Sequence, residues 1–217
     1  MPAASTGRSS SPAEPRTLPS RGLRLPPPLP RSFFARDALV VARALLGCLV
    51  VHELPGGEPR VARVVETEAY RGPRDLACHA RAGLTKRTRT LLGPEGHAYV
   101  FFVYGMHDCF NVTCLGEGSG HAVLVRAAEP VSGVGARLQG PGRFAREMGI
   151  TRALDGCDVT RPPLSVRPRI GRVRVGVTAR VGVAYAGVWA DRRWRFLDAD
   201  SPDVSRPPRS AVGRPGR

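Results

Sequence analysis

A chain of 217 residues that is 42% hydrophobic is long enough for one domain with a core and too apolar for a wholly disordered chain. No run reaches the apolar length of a membrane span, and the start, with Arg8, Glu14, Arg16 and repeated prolines, lacks a signal-peptide core, so a soluble, cytoplasmic protein with no membrane partner is expected. The formal charge of +15 points to a polyanionic partner, nucleic acid first, because each neutralised phosphate releases counterions.

Residues 1–30, rich in Pro, Ser, Ala and Arg and including "LRLPPPLP", are expected to form a disordered basic leader. "FFARDALVVARALLG" predicts a helix with Asp37 near its start and Gly47 placed to stop it. "CLVVH" and "RVARVVETE" flank the turn "LPGGEP" as a hairpin. A second hairpin is expected where "HAYVFFVY" and "CFNVTCL" flank "GMHD", followed by a strand "HAVLVRAAEP". "GRFAREMGI" predicts a short helix. The last third returns to β segments in "RVRVGVTARVGVAYA" and "WRFLDA". From residue 161 onward thirteen arginines face four aspartates, so these strands are expected to form a phosphate track if they line one face. Residues 206–217 predict a second disordered basic tail. The fold expected over 31–205 is a single α+β domain on a curved antiparallel sheet.

Five cysteines without CxxC pairs indicate neither a disulfide framework nor a zinc knuckle, and the five histidines miss helical metal-site spacing, so no metal is expected. Glu66 and Glu68 alternate with Thr67 and so should share one strand face. Their repulsion would raise one pKa and leave a base beside an acid, and the bland alternative pairs one of them with an arginine such as Arg63. Tyr70 lies where a strand meets the "RGP" break, with His79 a short excursion later. Of Tyr99, Phe101, Phe102 and Tyr104, two or three are expected to build core, while a tyrosine at the Gly105 turn could wedge into a base stack. Asn111 and Arg126 interrupt apolar strands, where an unpaired polar group is costly, and Arg126 is a natural partner for Glu68.

"VETEAYRGPRDLACHA", "YVFFVYGMHDCFNVTC", "VLVRAAEP" and the late "RVGVAYAG" with "WRF" occur in the order and spacing of the methylpurine (alkyladenine) DNA glycosylase family, and the resemblance covers about residues 33–205. It implies a monofunctional base-excision repair enzyme that needs no cofactor. Such an enzyme flips an alkylated or deaminated purine out of duplex DNA and hydrolyses its N-glycosidic bond, acting as a monomer on nucleoid DNA. By this resemblance Glu68 activates the attacking water, while Arg126 and the carbonyl of Val181 hold it. Tyr70, His79 and Phe101 wall the base pocket, Asn111 at its floor disfavours undamaged guanine, and Tyr104 intercalates from a protruding hairpin. A carboxylate suits the positive charge that builds on the sugar, and aromatic walls suit electron-poor alkylated rings. Phe101 stands where some relatives carry tyrosine and Tyr185 where some carry histidine. Three rivals remain: a bifunctional glycosylase/lyase using the amine of Lys86 or Pro2, a non-catalytic nucleic-acid-binding module on the same fold, and a metal hydrolase built on His79 and the glutamates.

Overall fold

The computed structural model describes residues 24–103 and 105–205. Both basic tails fall largely outside these residues, as does Tyr104 with the wedge role expected for it. The last residues of the expected leader are fastened to the domain: the Leu29 amide donates to the Val166 carbonyl at 2.8 Å and Arg167 donates to the Pro26 carbonyl at 3.0 Å.

The expected single helix over residues 33–47 is two. A one-turn α1 (Arg31–Phe34) ends before Asp37, whose carboxylate accepts from the Leu39 amide at 2.8 Å and so starts a separate α2 (Ala38–Leu45). Gly47, at φ 81°, turns the chain away as expected. Ala38, Val41, Ala42 and Leu45 form the buried stripe of α2, which packs on the sheet.

Among the described residues nine strands form one wholly antiparallel sheet: β1 (Leu49–His52), β2 (Arg60–Arg71), β3 (Ala98–Val103), β4 (His107–Cys114), β5 (His121–Ser132), β6 (Leu138–Gln139), β7 (Leu164–Arg167), β8 (Val175–Thr178) and β9 (Arg195–Asp198). Both expected hairpins form, as β1–β2 and β3–β4. The main path runs β3-β4-β5-β2-β1-β7. The long central pair β2 and β5 changes neighbours along its length. β2 pairs with β1 up to Arg63 and with β9 from Glu66, while β5 pairs with β4 up to Leu124 and with β6 from Ala127. Register shifts in β2 around Glu66 mark the same place. A sheet that branches there curls, because bulges raise the local twist. Helix α3 (Pro141–Met148), closed by Gly149 in the left-handed conformation, packs Phe144, Ala145 and Met148 into the core.

One sequence expectation fails in the last third. "RVGVAYA" is not strand: β8 stops at Thr178 and Ala184–Trp189 winds into a 3₁₀ segment, because the Arg180 side chain and the Val181 amide bond inward to other groups instead of to a neighbouring strand. Several of the late arginines are not free for phosphate. Arg161, Arg167, Arg174, Arg180 and Arg195 are each paired with a carboxylate, and Arg180 and Arg195 are buried, where a guanidinium without a partner would be costly. Among the described residues no helix is long and apolar enough to cross a membrane.

Candidate active site

The site is set by sheet register. Tyr99, Asn111, Leu124, Glu68 and Arg195 are successive cross-strand partners on β3, β4, β5, β2 and β9, so their side chains share one face. The next rows on that face add Phe101 and Cys109 on one side and Tyr70 and Ala122 on the other. Opposite that face, Thr67 donates to the Ala42 carbonyl of α2, which confirms the alternation expected for Glu66-Thr67-Glu68.

Over the row lies a cavity of about 310 Å³, at the lower end of the size range of small-molecule sites. Tyr70, His79, Phe101, Asn111, Arg126 and Val181 line it, so six of the eight residues expected at the site meet in one place. Glu68 does not line it. Its fully buried carboxylate lies directly behind the wall and is held by three lining residues: the Val181 amide donates to Oε1 at 2.7 Å, the Tyr70 hydroxyl donates to Oε2 at 2.9 Å, and Arg126 Nη1 lies 3.4 Å from Oε2. It is the amide of Val181, not its carbonyl, that makes this contact.

The two glutamates titrate in opposite directions. Burial raises Glu68 above the ordinary carboxylate range against the pull of Arg126, the Val181 amide and Tyr70, with the charge of Glu66 a minor contributor. Glu66 is lowered: burial acts against it too, but Arg126, Arg195 and the Ser205 amide together outweigh that. The expected split is therefore present, but desolvation rather than mutual repulsion is its main cause. Arg63 is not the partner of Glu66; it bridges Glu129 and Asp198, both at 2.9 Å.

His79 sits at the start of a 3₁₀ turn (His79–Ala82), edge-on to Phe101 with ring centroids 4.5 Å apart. Burial and nearby Arg87 push its pKa down to about 4, so the ring is neutral near pH 7. A neutral ring with Nδ1 3.0 Å from the Tyr99 hydroxyl and Nε2 3.4 Å from Arg87 is one that carries its proton on Nδ1, since Arg87 can only donate. The Asn111 amide nitrogen donates to the Tyr99 and Cys109 carbonyls, at 3.1 and 3.4 Å, which spends both of its donors on backbone.

Several site residues were not singled out from the sequence. Tyr99 is buried against the cavity, so of the three described aromatics of β3 it alone is fully buried, while Phe102 points to the other face, where Arg152 lies 4.2 Å over its ring. The i, i+2 spacing of Tyr99 and Phe101 and the register of the β3–β4 hairpin could have found Tyr99. Asp75 and Arg180 form a fully buried two-pronged pair at 2.6 and 2.9 Å. Arg180 also donates to the Ala69 and Trp189 carbonyls, and its guanidinium lies 4.8 Å from the Tyr70 ring. This pair fixes the segment carrying Val181 onto the end of β2. No local pattern in the sequence links Asp75 to a residue 105 positions away.

A buried carboxylate set against an arginine at the back of an aromatic cavity, on a strongly basic chain, defines an enzyme that works on a base of nucleic acid. Residues 32–202 match the family model Methylpurine-DNA glycosylase (MPG), and the chain belongs to that family. It is 52% identical over 184 residues to a protein of Myxococcus xanthus (strain DK1622), covering 83% of this chain and 94% of that one. It is 45% identical to a protein of Methanocella arvoryzae, covering 83% and 96%, and 43% identical to one of Legionella pneumophila (strain Lens), covering 82% and 98%. All three bear the provisional name 3-methyladenine DNA glycosylase. The chain is thus a base-excision repair glycosylase, monofunctional, that hydrolyses N-glycosyl bonds in DNA.

Proposed function

We propose that this glycosylase flips alkylated or deaminated purines out of duplex DNA into the 310 Å³ cavity and cleaves their N-glycosidic bond with a water activated by Glu68. The observation that carries this reading is the seat of Glu68: a fully buried carboxylate raised in pKa and touching three residues of the cavity wall. A base with a raised pKa takes a proton more readily near neutral pH, and its negative charge stabilises the cationic sugar of the transition state. Its place behind the wall suits a resting enzyme, since catalytic contacts often tighten only when the substrate is bound. A shift of the Tyr70 side chain away from Oε2 would open that oxygen to a water, with Arg126 and the Val181 carbonyl holding it.

Phe101, Tyr70 and neutral His79 are the walls against which the base stacks. A neutral imidazole does not repel an alkylated, cationic purine. Asn111 keeps its carboxamide oxygen for the base and disfavours undamaged guanine, and Tyr104 is the wedge that fills the space left in the stack. The enzyme works as a monomer. The schiff-base alternative is disfavoured because Lys86, the sole lysine, is not among the residues lining the cavity.

The test is to incubate the protein with DNA duplexes each carrying 3-methyladenine, 7-methylguanine, ethenoadenine or hypoxanthine and to identify the released base. Release of at least one of these free bases, leaving an abasic site, is expected; release of none would overturn the substrate class.

A further inference from the structure

Glu66 lies two residues before the proposed base, at the point where both central strands change partners, and is itself fully buried. Its carboxylate is the centre of a closed network. Oε1 accepts from Arg126 Nε at 2.7 Å, from Arg195 Nε at 2.7 Å and from the Ser205 hydroxyl at 2.9 Å, while Oε2 accepts from the Ser205 amide at 2.6 Å. Arg126 is therefore gripped by its Nε edge. Its Nη1 end reaches Glu68 only to 3.4 Å, beyond a charge-assisted hydrogen bond, which is normally about 2.7–2.9 Å.

We propose that Glu66 is a positioning residue that holds Arg126 back from Glu68, so that the arginine lies beside the base without closing on it. This rests on the assignment of Glu68 as the base. The physical need is plain. An arginine in a full two-pronged bridge would hold a neighbouring carboxylate in its ionised, weakly basic form and occupy the oxygens that must meet water. An arginine removed altogether would leave Glu68 alone in a buried site, where it would hold a proton and be no base.

With Glu66 present, the buried cluster has two carboxylates and two guanidinium groups, so it is neutral when Glu68 is ionised. The charged and titratable groups facing Glu68 are Glu66 and Tyr70 on β2, Arg126 on β5, and Arg180 in the segment that carries Val181; Arg195 on β9 reaches it through Glu66, and Cys109 on β4 faces Arg126. Of these, only Arg126 touches both glutamates. Ser205, which follows β9, gives Glu66 both its amide and its hydroxyl and so helps to fix the position of the arginine.

The experiment is the pH profile of single-turnover base release from dimethyl-sulfate-methylated duplex DNA by wild type, Glu66→Gln, Glu66→Asp and Glu68→Gln, with melting curves for each. Glu66→Gln frees Arg126 to close on Glu68, so the acid limb is expected to move to lower pH and the plateau rate to fall at least tenfold, with the KM for DNA unchanged. Glu66→Asp keeps the charge but draws it back, and should give a smaller change in the same direction; it serves alone if Glu66→Gln does not fold. An acid limb that stays in place while the rate falls together with the melting midpoint would make Glu66 a purely structural residue and overturn the proposal, as would an unchanged rate. If wild type released no base, or Glu68→Gln released it normally, the assignment of Glu68 itself would fail, and the two failures are thereby told apart.

Discussion

At the residue scale, Tyr70 combines two duties that the sequence shows only separately. Its ring faces the cavity and its hydroxyl donates to Glu68 Oε2 at 2.9 Å, an interaction that holds the carboxylate's pKa down against burial. Tyr70→Phe keeps the wall and removes the donor. The acid limb of the base-release profile is then expected to move to higher pH, with a fall of about tenfold at neutral pH, the scale of one hydrogen bond to a charged group. A profile that does not move would mean that the hydroxyl plays no part in tuning Glu68. Asn111 and Arg126 were legible as candidates because each is a polar residue inside an apolar strand, whereas Tyr70, His79 and Phe101 took their places only through the family resemblance. The tie between Glu66 and Glu68 was not legible from alternation alone, which puts both on one face. The partners break it: Glu66 is saturated by Arg126, Arg195 and Ser205, while Glu68 faces the wall of the cavity.

At the element scale, the segment from Ala179 to Trp189 is where sequence and structure part most. Its Val-Gly-Val-Ala-Tyr run has a strand's composition, yet its backbone serves the site. The Arg180–Asp75 pair pins it, and the Val181 amide goes to Glu68. Both partners of that pair are fully buried, so removing one leaves an uncompensated charge. Arg180→Met is expected to cost about 3–5 kcal/mol of stability, read from the denaturant midpoint, and to slow base release by releasing Val181 from its place. A midpoint within error of wild type would show that the pair is dispensable. The hairpins, by contrast, were readable because apolar alternation and Pro-Gly turns carry strand pairing locally. The split of the first helix at Asp37 follows from a capping side chain whose signal lay inside an otherwise continuous apolar pattern.

At the scale of the whole molecule, the branched sheet converts register into a site: one transverse row from Tyr99 to Arg195 crosses five strands and brings two cavity-lining residues, Tyr99 and Asn111, into line with the proposed base. Net charge indicated nucleic acid, but two of the late arginines, Arg180 and Arg195, are spent inside the fold on Asp75 and Glu66, which composition could not reveal. The central claim is that Glu68 is the general base. Because burial raises its pKa in the folded chain, its contribution to stability is fully present below the unfolded value and lost as pH rises through the folded one. Glu68→Gln should therefore melt no lower than wild type at neutral pH. The decisive measurement is single-turnover base release by Glu68→Gln from methylated duplex DNA, with DNA binding measured alongside. A rate reduced by about a hundredfold or more with binding retained is expected, given the usual contribution of a general base. Base release at the wild-type rate would contradict the assignment.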